Sequence, residues 1–210
     1  ANMKKQEGDY WDSFVNFKFD YDKRNQKFQT SDGFRSTYFL NLPVISDTNT
    51  LKNSYNLKYF TELYEENITT FSLYLTSANS ISNDDIKLSE RLNVPSNRLR
   101  GFEYGKVGPK DGADFIGGNY VSTFNITSTL PYILENAQNT DFLIFLDAAN
   151  VWGVDYDSSI DDSNKLRSAL GIGVDWFTPV GPLSFSLSQT LTKASTDKTE
   201  SFRFNLGTTF

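Results

Sequence analysis

Apolar and polar side chains alternate residue by residue in many segments of this 210-residue chain, and this alternation restricts the folds open to it. In segment 13–21, Val15, Phe17, Phe19 and Tyr21 occupy every second position, with polar or charged residues at most positions between them. Successive side chains of a β-strand point to opposite faces of a sheet, so a period of two predicts strands rather than helices. The sequence therefore predicts an all-β, antiparallel fold.

The alternation predicts nine strands, most of them about as long as a tilted strand that crosses a membrane. The predicted strands are 13–21, 34–42, 55–63, 71–75, 120–130, 142–152, 166–176, 183–187 and 202–210. The connections between them differ in length: 178–182 is tight, whereas 81–117 and 153–165 are long. Short turns at one end and long loops at the other are typical of outer-membrane barrels.

Two architectures accommodate alternating strands, and they place the apolar faces on opposite sides. A soluble antiparallel sandwich or barrel turns its apolar faces inward. A transmembrane β-barrel turns them toward lipid and lines its lumen with small or polar residues. The polar faces of this chain are rich in Ser, Thr, Asn and Gly rather than Lys and Glu. This composition favours the transmembrane barrel.

The composition also excludes several classes of function. The chain contains no Cys and no His, so it cannot supply a Ser-His-Asp triad, a thiol nucleophile or a Cys/His metal site. Its net charge is −6 and no basic stripe is present, which argues against a nucleic-acid partner. We therefore expect no enzymatic activity, cofactor or bound metal.

Three stretches resemble the BamA family of bacterial outer-membrane assembly factors. The first is Leu99-Arg100-Gly101-Phe102, which resembles the Val-Arg-Gly-Phe/Tyr loop motif of the family with Leu in place of Val. The second is the segment 145–152, in which Asp147 precedes a Val-Trp pair. The third runs from Trp176 to the terminal sequence FRFNLGTTF.

The resemblance implies a sixteen-stranded barrel preceded by periplasmic POTRA domains, of which this chain matches the last nine strands. An open set of nine strands would leave two unpaired edges in lipid, at a cost of several kcal/mol for each exposed backbone group. We therefore expect residues 1–210 to be the C-terminal part of a longer barrel, located in the bacterial outer membrane.

The resemblance further implies that the long loop 81–117 folds back into the lumen. There Arg100 would pair with carboxylates of the inner wall, while Gly101 would let the loop reverse and Phe102 would pack on the wall. Asp147 matches one expected acid, and the alternation places it on the inner face. The second expected acid is absent, because Thr127 occupies its position. The alternative is an Arg100 that is solvated or bonded to carbonyl groups.

The last predicted strand, 202–210, has two implied roles in such a family. It would form one side of a weak seam between the first and last strands, and it would carry the terminal signal by which barrel proteins are recognised. Gly207 would weaken the strand near its end or simply serve packing in the lumen. The terminal Phe210 would lie in the aromatic belt at the membrane interface. The implied seam and signal residues are Phe202, Phe204, Asn205, Leu206, Gly207 and Phe210.

The implied function is the folding and insertion of β-barrel proteins into the outer membrane through that seam. Its partners would be unfolded outer-membrane barrel proteins, outer-membrane lipids and accessory assembly lipoproteins. Two alternatives stay open at this point. One is a TamA-like protein or a two-partner secretion transporter of the same family, and the other is a structural barrel without assembly activity.

Overall fold

The computed structural model describes residues 6–27, 29–64, 66–130, 139–179 and 181–206, and its main feature is a sheet of nine strands. The strands are β1 (Asp12–Asp22), β2 (Gly33–Ser46), β3 (Thr50–Glu62), β4 (Ile68–Ser80), β5 (Tyr120–Leu130), β6 (Thr140–Trp152), β7 (Arg167–Thr178), β8 (Gly181–Thr192) and β9 (Phe202–Leu206). Each strand pairs antiparallel with the one before it, so the sheet order follows the chain. The predicted all-β fold with nine strands is confirmed.

Several strands extend beyond the predicted segments. Strand β4 reaches Ser80 although its apolar alternation ends at Leu75, and β8 reaches Thr192 although 183–187 was the predicted segment. The extensions are rich in Thr, Ser, Asn and Gln, which carry no apolar signal. Ladder hydrogen bonds join backbone groups and do not require apolar side chains. The alternation therefore marks the centres of the strands better than their ends.

The two faces of the sheet have the polarity of a membrane barrel. One face exposes large apolar side chains: Ile172 is 57% exposed, Leu187 54% and Phe204 49%. The same face carries Phe17, Phe19, Tyr21, Tyr38, Tyr59, Leu75, Phe124, Ile144, Leu146, Leu170, Trp176, Leu191, Phe202 and Leu206. The other face buries polar groups, including Asn125, Asp147 and Arg203. A soluble sandwich would have the reverse arrangement, so the transmembrane reading is confirmed.

The long connections lie together at one end of the sheet. Residues 81–119, 153–166 and 193–201 join strands at this end, as does the turn 47–49. They contact one another through the Arg91–Asp155 ion pair and through the Gly108 N–H, which donates to Asp197. The described residues of the connections 23–32, 63–67 and 179–180 lie at the opposite end, while the connection between β5 and β6 falls largely outside the described residues.

The sheet is open along two edges. Within the described residues, β1 pairs only with β2 and β9 pairs only with β8. Helical structure in the same part of the chain amounts to two 3-10 turns, Leu88–Glu90 and Ser96–Arg98. No helix among these residues is long and apolar enough to span a membrane.

Candidate functional site

The loop 81–117 lies against the inner face of the sheet and is held there by an apolar cluster. Leu99, Phe102 and Val107 of the loop pack with Val121, Ala149, Val151 and Ala169 of β5, β6 and β7. Phe102 is 1% exposed and forms an isolated bridge with Thr199. Burial of side chains of this size contributes about 1.5–3 kcal/mol each. The cluster places the sequence 99–102 directly above the polar inner wall.

The structure brings Arg100 and Asp147 together in a bidentate ion pair. The Arg100 Nε donates to Asp147 Oδ2 at 2.7 Å, and Nη2 donates to Oδ1 at 2.8 Å. The backbone N–H of Arg100 donates to Asp147 Oδ2 at 3.0 Å. Asp147 is fully buried, and the Arg100 side chain is 16% exposed. Two parallel N–H···O bonds in a shielded site fix both the position and the direction of the loop.

Asn125 supports this pair from the neighbouring strand. The β5–β6 register places Asn125 directly opposite Asp147. The Nδ2 group of Asn125 donates to Asp147 Oδ1 at 2.9 Å and to the Arg98 carbonyl at 2.7 Å. The buried carboxylate therefore has hydrogen bonds on both oxygens, which offsets the cost of removing its charge from water.

Thr127 and Phe145 occupy the other side of the Arg100 guanidinium. Arg100 Nη2 donates to Thr127 Oγ1 at 3.2 Å, so the position that lacks the expected acid still supplies an oxygen. The guanidinium carbon lies 3.4 Å from the centre of the Phe145 ring, a cation–π contact. Phe145 is opposite Gly171, where an added Cβ would lie 2.5 Å from the ring. Gly171 therefore leaves the space that the ring occupies.

Gly101 has a backbone conformation and surroundings that exclude a side chain. Its φ is +90°, and an added Cβ would lie 2.9 Å from the Cβ of Ala169. Its carbonyl accepts hydrogen bonds from Thr190 Oγ1 at 3.1 Å and from the Glu200 N–H at 3.2 Å. The residue thus allows the chain to turn and to approach the wall closely.

Replacement of Gly101 by Ala should weaken the docking of the loop by about 1–3 kcal/mol, because it adds both backbone strain and a steric clash. Limited proteolysis of the full-length protein should then cleave within 81–117 more rapidly. Gly105→Ala is the matched control: Gly105 also has a positive φ, +68°, but an added Cβ would meet open space. Equal proteolysis of the two variants would contradict the close approach at Gly101.

Sequence reasoning missed three arginines that hold the loops. Arg98 donates to Ser72 Oγ at 3.1 Å and to Asn56 Oδ1 at 2.9 Å. Arg203, on β9, donates to backbone carbonyl groups of the loop. Arg167 begins β7 and is fully buried. Arg167 and Arg203 occupy polar positions of the alternation in 166–176 and 202–210, but the alternation does not indicate their partners.

Arg167 forms a buried network with the connection 193–201. Its Nε donates to Asp197 Oδ2 at 2.9 Å, and both side chains have no exposed surface. Asp197 also accepts from the Ala194 N–H at 2.7 Å and from the Gly108 N–H at 3.2 Å. A single carboxylate therefore joins β7, the long loop and the connection before β9.

A second ion pair joins the long loop to the connection 153–166. Arg91 pairs with Asp155 and lies 4.9 Å from the centre of the Tyr156 ring. Burial alone would raise the pKa of Asp155. Hydrogen bonds from the Ile86 N–H and Asn119, together with the charge of Arg91, hold that pKa below its ordinary value of 3.8. Asp155 is therefore an ionised hydrogen-bond acceptor that holds the two connections together.

The predicted seam residues fall partly within the described chain. Phe202, Phe204 and Leu206 point to the apolar outer face. Asn205 lines a cavity of about 270 Å³ on the inner face, together with Arg98 and Asp175. Gly207 and Phe210 lie outside the described residues.

Comparison with known proteins agrees with this geometry. A family model described as the Omp85 superfamily domain matches residues 1–210. The chain is 30% identical to the outer membrane protein assembly factor BamA of Neisseria meningitidis serogroup B, over 53% of this chain and 17% of the relative. It is 28% identical to BamA of Neorickettsia risticii, over 54% of this chain and 16% of that relative. The matches thus span about one sixth of these curated relatives.

A solved structure shows the same fold. It is the crystal structure of BamA from Haemophilus ducreyi lacking POTRA domains 1–3, with a TM-score of 0.80 at 24% identity. The match covers 90% of this chain and 41% of that chain. The sheet polarity and the docked loop define a partial outer-membrane β-barrel. The chain belongs to the Omp85 superfamily, and it is a protein of the bacterial outer membrane.

Proposed function

We propose that residues 1–210 form the C-terminal part of the barrel of an outer-membrane protein assembly factor. The observation that carries this proposal is the motif 99–102, docked on the inner wall through Arg100 and Asp147. The similarity to two proteins named BamA supports it. The proposed partners are unfolded outer-membrane barrel proteins, outer-membrane lipids and accessory assembly lipoproteins.

The proposed mechanism uses β9 as one side of a weak seam between the first and last strands of the full barrel, and it needs no covalent chemistry. Each unpaired backbone group costs several kcal/mol in hydrocarbon, so a strand enters the bilayer favourably only when it is paired. Within the described residues, one edge of β9 has no strand partner, and in a closed barrel the first strand would lie weakly paired beside that edge. A client strand added at that edge would pair its backbone groups by β-augmentation. The folding of the client would supply the free energy.

Depletion of the full-length protein in its own bacterium tests this function. We expect several unrelated barrel proteins to decline together in the outer membrane, while inner-membrane and periplasmic proteins keep their normal amounts. Quantitative proteomics of separated membranes measures the result. Re-expression of the wild-type protein is the control and should restore the barrel proteins. Normal barrel levels after depletion would contradict an assembly role.

The alternative function within the same family predicts that depletion affects fewer proteins. A TamA-like protein or a two-partner secretion transporter would affect one protein or a small set. Reconstitution in lipid vesicles separates the two further, because a general assembly factor should speed the folding of several urea-unfolded barrel proteins. The resistance of each folded barrel to protease provides the measurement.

A further inference from the structure

Arg203 of β9 is bonded to the long loop on both sides of Arg100. Its Nη1 donates to the carbonyl of Leu99 at 3.3 Å and also to the carbonyl of Ser96. Its Nη2 donates to the carbonyl of Phe102. Its Nε donates to Glu200 Oε1 at 2.5 Å. Arg203 is 8% exposed, so these bonds form in a largely dry environment and are correspondingly strong.

Within the described residues, the ladder that attaches β9 to the sheet is short. The described ladder with β8 has five residue pairs, from Leu183↔Leu206 to Leu187↔Phe202. The ladder between β7 and β8 has eleven. The residues just before β9 bond to both the sheet and the loop: the Ser201 carbonyl accepts from the Ser188 N–H of β8 at 2.8 Å, whereas the Glu200 N–H donates to the Gly101 carbonyl and the Glu103 N–H donates to the Lys198 carbonyl. Within the described residues, the loop therefore supports β9 in addition to its ladder with β8.

We propose that Arg203 is a positioning residue that couples the docking of the loop on Asp147 to the stability of β9. Asp147 lies on β6, three strands away from β9. The connection runs from Asp147 to Arg100, then through the carbonyl groups of Leu99 and Phe102 to the Arg203 guanidinium. The importance of this coupling for assembly depends on the proposed function, in which clients are added at β9. The coupling itself is a property of the fold.

The geometry requires arginine at this position. A planar guanidinium presents five N–H donors in a fixed arrangement, which allows it to reach three carbonyl groups and a carboxylate at once. Lysine would keep the charge and the proximity to Glu200, but its single ammonium group cannot reproduce the separated bonds to Ser96 and Phe102. Arg203→Lys therefore breaks the connection while preserving the charge.

A double-mutant cycle measured by hydrogen exchange tests the coupling. The full-length protein in lipid nanodiscs is compared as wild type, Asp147→Asn, Arg203→Lys and the double variant. With Arg203 present, Asp147→Asn should speed exchange of the backbone amides of Arg203 and Asn205, which face Ser186 and Ser184 of β8, by about tenfold or more. With Lys at position 203, these amides already exchange rapidly, and Asp147→Asn should change them by less than about twofold.

A purely local role of Arg203 predicts different results. In that case Asp147→Asn leaves the β9 amides unchanged, or the effects of the two substitutions simply add, and either outcome overturns the proposal. Arg35→Lys is the control: Arg35 is bonded to Asp20 on β1, away from the loop, and its replacement should not alter exchange in β9. Arg203→Gln provides a second variant if Arg203→Lys does not fold. These exchange rates do not depend on client insertion, so a failed depletion experiment would leave this test intact.

Discussion

Replacement of Asp147 by Asn should release the loop 81–117 from the inner wall and abolish most of the proposed assembly activity. Removal of one charge from a buried ion pair typically costs about 3–5 kcal/mol, because the other charge keeps its desolvation cost. Arg100 would lose its only carboxylate partner among the described residues, with Thr127 and the Phe145 ring remaining as contacts. Complementation of a depleted strain and protease cleavage within the loop provide the two measurements.

The pair Arg35–Asp20 provides a matched control for this experiment. Like Arg100–Asp147, this pair is bidentate, with N···O distances of 2.9 and 2.5 Å. It joins the neighbouring strands β1 and β2, and both of its side chains are about one-third exposed. Asp20→Asn should therefore cost at most about 1 kcal/mol and leave growth normal. If Asp147→Asn and Asp20→Asn had the same effect on growth and cleavage, the loop would not depend on Asp147.

Replacement of Arg167 by Met should destabilise the folded barrel by about 3–5 kcal/mol, the second large effect that we expect. Methionine fills a similar space but leaves the charge of Asp197 buried beside apolar groups. The loss of the bonds from Arg167 to Asn150 and to the Ser163 and Lys165 carbonyls adds to this cost. The urea midpoint of unfolding in lipid vesicles measures the change.

A double variant separates the stability lost through the unpaired buried charge from the stability lost through other contacts of Arg167. Arg167→Met combined with Asp197→Leu removes both charges, so part of the stability should return. The recovery should be incomplete, because Asp197 also accepts hydrogen bonds from the Ala194 and Gly108 N–H groups. If Arg167→Met alone lowered the free energy of unfolding by less than about 1 kcal/mol, the Arg167–Asp197 pair would contribute no more than a solvent-exposed ion pair, which would contradict this prediction.

The strands of the sheet could be predicted from the sequence because the alternation of apolar and polar residues is a local pattern. Apolar side chains at every second position set both the strand centres and the face that each residue occupies, as at Ile172 and Phe204. The position of Asp147 on the inner face followed from the same parity. Strand ends such as Ser80 and Thr192 were not readable, because backbone pairing continues there through small polar residues.

The contacts of the loop could be predicted only where a resemblance supplied them. Arg100 and Asp147 are separated by 47 residues, and no periodicity links two such positions. The partners of Arg203 are carbonyl groups, which every residue possesses and which therefore leave no mark in a sequence. Phe145 was overlooked because an aromatic ring on the inner wall departs from the rule of a polar lumen. It is accommodated only by the missing side chain of Gly171.

The interlocked connections at one end of the sheet also limit how relatives of this protein can diverge. Asp197 serves the Arg167 side chain and the Gly108 amide together, and Asp155 likewise serves Arg91 and Asn119. If one connection alone were exchanged for that of a relative, hydrogen-bonding groups of the other connections would lose their partners. Chimeras should therefore fold only when 81–117, 153–166 and 193–201 are transferred together. Sequence drift should instead concentrate at exposed tips such as 81–85, whose side chains lie clear of these shared carboxylates.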